Sequence, residues 1–424
     1  MKKYKLLVLL CIVIISVCFL VPSEAAISLI VTANPVGNVY SYTRVVELVA
    51  SDTEANIYFT LDGSAPNDSS TLYTSPIVLM TSRTIKFFAR DELSNTSPIY
   101  TEQYDLLRVV TVPAMNAPAH IREFDIQGNV EENELTKVLY GFADPSFRGG
   151  ANIATGDVDN DDQDEIVIAP GSGMEPRVEV YDQDGEKESF KINAYHPDYH
   201  GGVDVAVGDL TGDGRAEIVT VNTSITEADR DVARVKVYSY EPGTPVLIEF
   251  IAFGSAVAGG RVTLGDIDAD GDLEIIVAAN KHGGPIVRAF ELDGSVRPTQ
   301  FFTYHTGYRG GIDVAAGDIH GNGKDEIVVV PLVGEISKVK VYRFRSDQYI
   351  EGEFNAFGEE AVGGNVEMAD IDQDGEDEII IGTQNMGHPQ IKAFEYDGTP
   401  VSGFDFYAYP EEIQTGVSVA ILKI

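Results

Sequence analysis

Asp266, Asp268 and Asp270 stand at alternating positions in the stretch GGRVTLGDIDADGDLEIIVAAN, followed by Gly271 and then by Glu274. Alternate spacing lets one tight loop turn several carboxylate oxygens toward a common centre, and glycine supplies the positive φ such a loop needs. Hard oxygen donors on a flexible loop suit Ca²⁺ rather than zinc or copper. The arrangement occurs five times. The other candidate ligand sets are Asp157, Asp159, Asp161 and Glu165 with a backbone carbonyl near Gln163; Asp209, Thr211, Asp213 and Glu217; Asp318, His320, Asn322 and Glu326; and Asp370, Asp372, Asp374 and Glu378. Charge ranks them: the first, third and fifth loops should hold Ca²⁺ tightest. The fourth, with His320 and Asn322, should be weak or carry none, because a hard ion does not favour imidazole. Extracellular calcium modules bind at about 10⁻⁴–10⁻³ M, so an exported protein would be loaded without acting as a sensor. Clustered aspartates repel one another, and an ion that removes the repulsion pins the turn, so the expected role is structural. A merely solvated acidic turn is the alternative, and five recurrences at one spacing argue against it.

The loops belong to a repeat. Gly-Gly pairs beginning at Gly149, Gly201, Gly259, Gly310 and Gly363, and then Gly416 alone, open units 51 to 58 residues apart. Each full unit carries four strand signals in fixed order: an alternating run such as Val203-Asp204-Val205-Ala206-Val207, the acidic loop, a β-branched run such as Glu217-Ile218-Val219, a run such as Val178-Glu179-Val180-Tyr181, and a last run ending in an aromatic residue (Tyr195, Phe253, Tyr304, Phe357, Tyr409). Four short strands per unit of about 50 residues make a β-propeller blade. The chain from Gly416 to Ile424 supplies only a first strand. Upstream, Val109 to Val112, Ile121 to Phe124 and Leu135 to Phe142 read as strands two, three and four without a first. The expected fold is therefore all-β: a six-bladed propeller closed by the C-terminal strand, with seven blades as the alternative, behind a small N-terminal β-sandwich.

From Arg108 to the C-terminus the recurring Gly-Asp acidic loops resemble the FG-GAP/VCBS, integrin-α-like propeller family, which implies calcium in the loops. Where that family commonly places Asp at the last loop position, this chain has Glu throughout, either reaching the ion or facing a neighbouring strand. The resemblance carries over no integrin ligand. Residues 31 to 106 hold short apolar runs separated by turns such as Asp62-Gly63 and Pro66-Asn67. With its Asp62-Gly63-Ser64-Ala65-Pro66 turn, this segment resembles the chitobiase/β-hexosaminidase C-terminal-type β-sandwich. That resemblance implies a spacer or a companion of glycosidases in exported bacterial proteins, and no catalysis of its own.

The loops joining strands two and three, and those between blades, must emerge on the face away from the acidic turns. They hold His196, Tyr199, His200, His282, His305, Tyr308, Arg309 and His388, with Phe147, Arg148 and Arg177. Tyrosine for stacking and arginine for carboxylates make a rim for a polar ligand. Polar and aromatic packing between blades is the bland reading, and no spacing supports a transition-metal site there.

Composition narrows the partners. With 67 acidic and 30 basic residues the formal net charge is −37, which argues against nucleic acid or an anionic membrane. Lys2, Lys3 and Lys5, an apolar run from Leu6 to Val21, Pro22 and Ser23-Glu24-Ala25 read as a bacterial-type export signal over residues 1–25; an uncleaved anchor is the alternative. Both cysteines, Cys11 and Cys18, lie inside that run, so bound metal is the expected staple. No Gly-x-Ser-x-Gly elbow, phosphate loop or Cys/His zinc pattern is present, and no tryptophan. The sequence therefore points to a secreted or cell-surface calcium-binding protein that recognises a glycan or protein ligand through a propeller face. A carbohydrate-active enzyme or its accessory subunit, and a structural surface-layer component, are the alternatives.

Overall fold

The structure is a computed structural model and describes residues 28–424 except 42, 130–139, 184, 188–190, 225–231, 244, 255–258, 344–348, 361 and 385–386. The expected export signal and most of the expected fourth strand at Leu135 to Phe142 lie outside the described residues; Tyr140, at that strand's end, bridges His120. No helix among the described residues is long and apolar enough to cross a membrane.

Residues 151–407 form five four-stranded antiparallel sheets in simple sequence order, each one blade. The second strands, Glu165–Pro170, Glu217–Asn222, Glu274–Ala279, Glu326–Pro331 and Glu378–Thr383, are buried along their whole length. Continuous Ile/Val runs suit these strands because both blade faces pack on neighbouring blades, and each such side chain contributes roughly 1.5–3 kcal/mol on burial. Apolar clusters alternate with the blades: Ile218 and Tyr238 of the second blade pack with Val178 and Tyr195 of the first. The same joint recurs around the ring, up to Ala420 and Leu422 packing against Ile153 and Ile166.

The sixth blade closes the ring as expected. Val417–Lys423 pairs antiparallel with the C-terminal half of Tyr100–Pro113, from Val417 opposite Pro113 to Lys423 opposite Leu107, and Arg122–Phe124 pairs on the other side. The first strand of every blade packs against that of the next, and Val417–Lys423 packs against both the fifth and the first, which makes the propeller six-bladed.

Tyr100–Pro113 runs across the expected boundary between residues 106 and 108. It is one uninterrupted strand: its N-terminal half pairs with Arg83–Arg90 and Asn38–Tyr40 in the sandwich, its C-terminal half with the propeller. No linker separates the two units. The remaining sandwich strands are Val31–Asn34, Arg44–Ala50, Asn56–Thr60, Thr71–Leu72 and Ile77–Leu79, and they close on Leu48, Ile85, Phe87 and Tyr104. Ile424 N–H donates to Leu106 O at 2.8 Å, and Leu106 N–H to Ser82 Oγ at 2.8 Å, so the sandwich is seated where the C-terminal strand ends. That end is the acidic-loop end of the propeller.

The axis is closed by a ring of polar side chains. The second residue of each first strand is Asn152, Asp204, Arg261, Asp313, Asn365 and Ser418 in blade order. Five of them clasp the next blade's backbone. Asn152 Nδ2 donates to Val203 O (2.6 Å), Asn365 Nδ2 to Val417 O (3.0 Å) and Ser418 Oγ to Ala151 O (3.2 Å). Asp204 accepts from Val262 N–H (2.8 Å) and Asp313 from Val366 N–H (3.0 Å). Arg261 supplies the missing joint: its Nη1 donates to Asn152 Oδ1 (2.6 Å) and Asp204 Oδ1 (2.7 Å), and its Nε lies 3.6 Å from Asp313 Oδ1.

Candidate functional site

Each acidic loop is a double left-handed turn wrapped around its first aspartate. The residues three and five positions on have positive φ: Asn160 and Asp162, Gly212 and Gly214, Ala269 and Gly271, Gly321 and Gly323, Gln373 and Gly375. Asp266 shows the consequence, since its carboxylate accepts from the N–H groups of Ala269 (2.7 Å), Asp270 (3.1 Å) and Gly271 (2.9 Å). Asp157 and Asp209 repeat all three bonds, and Asp370 those from Gln373 and Gly375. Four of the five closing glutamates face back into their own loop. Glu165, Glu217, Glu274 and Glu378 accept from the N–H of Val158, Leu210, Ile267 and Ile371 at 2.8–3.0 Å, each spending one oxygen and leaving the other toward the loop.

The loops then diverge. In the first, Asp157, Asp159 and Glu165 place ligand atoms within 4.8 Å of one another; in the third Asp266, Asp268 and Glu274 do so, and in the fifth Asp370, Asp372 and Asp374. Asp161, Asp270 and Glu378, all expected ligands, fall outside these sets. Burial, and after it the charge of Asp159, pushes Glu165 up to about 8; burial, and after it Asp372 and Glu395, does the same for Glu378. Glu378 Oε1 is buried with no donor among the described residues. Carboxylates brought together and desolvated in this way fit a hard divalent cation.

The third loop fits one less well than its charge suggests. Arg297, from the last strand of its blade, bonds Asp268 and Glu274, lies 3.8 Å from Asp270 and pairs with Glu291 at 2.6 Å. A guanidinium stands where the ranking puts an ion. The second loop forms no convergent set among the described residues: Asp213 accepts from the N–H of Arg215, and Thr211 only grazes Glu217 at 3.5 Å. In the fourth loop Asp318 accepts from His320 and Gly323 N–H, Asn322 and Asp318 join no set, and His320 and Glu326 converge instead with Glu351.

Sequence reasoning missed Arg297 and Glu351, although the repeat could have exposed them. Strand pairing puts Leu247, Arg297, Glu351 and Val401 at one position of blades two to five. A charge there in two blades, against Leu and Val in the others, was the available signal. Asp164, Asp325 and Asp377 were missed as well. Each accepts a backbone N–H of the preceding blade, from Lys423, Asp266 and Asp318, and burial pushes each up to about 6.

The opposite face keeps some expected ligand residues and loses others. Tyr199 and Tyr308 are buried, and their hydroxyls donate to Gly202 O (2.8 Å) and Val333 O (2.7 Å); phenols engaged this way lock the inter-blade loops and offer no stacking surface. Phe147 is buried too. Arg177 is committed to Glu179 (2.7 Å) and Phe142 O (3.0 Å). His196, His200, His282, His305 and His388 are exposed. They are spread over four loops, with His196 and His200 on one of them; His196 is 3.5 Å from Asp198, His305 3.7 Å from Glu335 and His388 bonded to Glu411 O, and none joins a convergent metal-ligand set among the described residues. Arg148 and Arg309 stay exposed, each guanidinium donating to carbonyls of its own loop, Phe147 O (2.9 Å) and Tyr308 O (2.7 Å). At the axis lies a cavity of about 270 Å³ lined by Ser172, Thr223, Asn280, Lys281 and Gln384 above Arg261. A second, of about 490 Å³, shares Met115, Gly149 and Ser172 with it and reaches Arg148.

Fold and loops together define a six-bladed propeller with acidic turns on one end, joined to a β-sandwich. Family profiles agree: the chitobiase/beta-hexosaminidase C-terminal domain matches residues 35–101, and the FG-GAP-like repeat matches residues 157–220 and 266–329. These matches place FG-GAP-like repeats within the propeller and a chitobiase-type domain before it, in the order the sequence suggested. No curated protein matches it. Solved structures similar to it include a quinonprotein alcohol dehydrogenase-like protein of Bacteroides thetaiotaomicron (8% identity, 92% of this chain and 96% of that one, TM-score 0.39). The six-bladed fucose-recognising lectin of Aleuria aurantia is another (10% identity, 87% and 96%, TM-score 0.37). A biofilm matrix protein of V. cholerae is a third (11% identity, 90% and 80%, TM-score 0.21).

Proposed function

We propose that this protein is exported and recognises an anionic ligand at or outside the cell surface, a carboxylated or sulfated glycan or an acidic protein, through the propeller face opposite the acidic loops. The observation that carries this is the charge on that face. Lys281 lines the axial cavity, Arg148 lines the one beside it together with Asp144, and Arg309 is exposed on the same face; none of the three forms an ion pair with a carboxylate among the described residues, in a chain of net charge −37. Unpaired cations on one face of an acidic molecule focus an anion there. The sandwich is seated at the other end, beside the first, fifth and sixth blades. A binding role is favoured over acid–base chemistry because the carboxylates of the axis, Asp204 and Asp313, are tied to Arg261 and to backbone N–H groups. Calcium at the first and fifth loops is part of the same reading: among the described residues no guanidinium pairs with their convergent carboxylates as Arg297 does in the third, the nearest being Arg83, 3.9 Å from Asp162 outside the first loop's set.

The test is a glycan and cell-wall-fraction binding screen of the chain from Ala26 onward in millimolar Ca²⁺, with a K281A/R148A/R309A variant beside it. Saturable, salt-sensitive binding to acidic glycans that the triple variant loses while its melting temperature is unchanged supports the reading. Binding that the variant retains, or binding confined to neutral sugars, overturns it. Melting in chelator tests calcium separately: an unchanged curve removes calcium from the account.

A further inference from the structure

We propose that the fourth acidic loop has been rebuilt as a site for a zinc-class transition-metal ion, held by His320, Glu326 and Glu351. One ligand atom from each of these residues lies within 4.8 Å of the other two, and His320 Nε2 is 3.0 Å from Glu351 Oε1. The set mixes one imidazole nitrogen with carboxylate oxygens. Ca²⁺ disfavours that donor mixture and Zn²⁺ accepts it, with three protein ligands leaving a coordination position open.

Two independent observations show that Glu326 is turned to this use. In the other four loops the equivalent glutamate caps the N–H of the second loop residue; here Ile319 N–H goes to Gly317 O at 3.2 Å instead. Glu326 is 1% exposed, and its Oε2 has no hydrogen-bond donor among the described residues. Glu351 Oε2 is in the same condition. Glu351 also stands at the strand position held by Leu247, Arg297 and Val401 in blades two, three and five, so a carboxylate lies beside the loop whose His320 and Asn322 take positions held by aspartates in the first, third and fifth. Arg343 lies 3.5 Å from Glu326 Oε1 and 2.7 Å from Glu351 Oε1; both contacts use the Oε1 atoms and leave the Oε2 atoms. His320 keeps an edge toward solvent, its side chain 24% exposed and its ring set against Tyr396, which gives the ion a route in.

The experiment is a calorimetric titration of Zn²⁺ into the full chain with Ca²⁺ held at millimolar concentration, repeated with Co²⁺ read by visible absorption. One Zn²⁺ site and a nitrogen-ligated Co²⁺ spectrum are expected. H320A, whose side chain is at the surface, and E351L, which installs the residue of the second blade, should each weaken that site by at least the roughly 10–100-fold that loss of even a supporting partner costs. H200A and H305A on the far face should leave it intact, and R343Q should tighten it by removing a competing cation. No site in the native chain, or a site that survives H320A and E351L but falls with H200A or H305A, overturns the proposal. Both variants should melt like the native chain without zinc, so that lost binding reports lost ligands rather than lost fold.

Discussion

Arg261 sets the energy of the axial ring, and its removal gives the sharpest test of the fold. Its side chain is 10% exposed, and those of Asp204 and Asp313 are 9% and 11%. Arg261→Met keeps the bulk but strands two aspartates. Breaking a buried ion pair from one side costs about 3–5 kcal/mol, because the remaining charge is left desolvated. For a unit of this size that is a fall in melting temperature on the order of 10 °C. The effect carries a pH signature. Burial already raises both aspartates, and loss of the guanidinium raises them further. An acid whose folded pKa exceeds its unfolded one contributes full stability below the unfolded value and loses it as pH rises through the folded value. The deficit should therefore be large at pH 8 and small at pH 5. Urea unfolding of both proteins at the two pH values measures it, and the R261M/D204N/D313N variant should recover most of the loss. A deficit below about 1 kcal/mol at pH 8 would refute the account, since that is the scale of one ordinary hydrogen bond. So would a deficit equal at both pH values.

Other expectations follow from the loops. Arg297→Leu exposes the third loop's carboxylates to one another, so the variant should melt lower in chelator by about 2–3 kcal/mol and regain most of it with Ca²⁺, whereas native loop three depends little on calcium; differential melts with and without Ca²⁺ decide. Glu165 and Glu378 are raised by burial to about 8, so the calcium-free protein should lose stability as pH rises from 5 to 8. Glu378→Gln should flatten that slope and reduce calcium-dependent stabilisation; an unchanged slope counts against the burial argument. Gly271 has φ +93°, and the space a Cβ would occupy there is open, with no atom within 4 Å. Gly271→Ala should therefore cost about 1–2 kcal/mol from backbone conformation alone, read by urea unfolding. Tyr199→Phe should destabilise by about 1 kcal/mol through its lost hydroxyl bond and leave ligand binding unchanged; altered binding would return Tyr199 to the ligand face.

Periodicity made the architecture legible. Ile/Val runs buried on both faces, Gly-Gly pairs at blade entries, three strand signals before the first full unit and a single one after the last pointed to six blades with a shared closing blade, and strand pairing decided that count against seven. The five acidic loops were legible for the same reason: a turn that wraps its first aspartate needs left-handed residues at fixed offsets, and sequence spacing records them. What the sequence could not hold was the identity of each loop's neighbours. Arg297 reaches the third loop, and Glu351 and Arg343 the fourth, from strands later in the same blade; Arg261 meets Asp204 and Asp313 only because the ring brings three blades to one axis. Tyr199 and Tyr308 read as exposed loop aromatics until the fold bent their hydroxyls onto backbone carbonyls. Charge balance and burial arise between segments distant in the chain, and only the closed tertiary structure decides them.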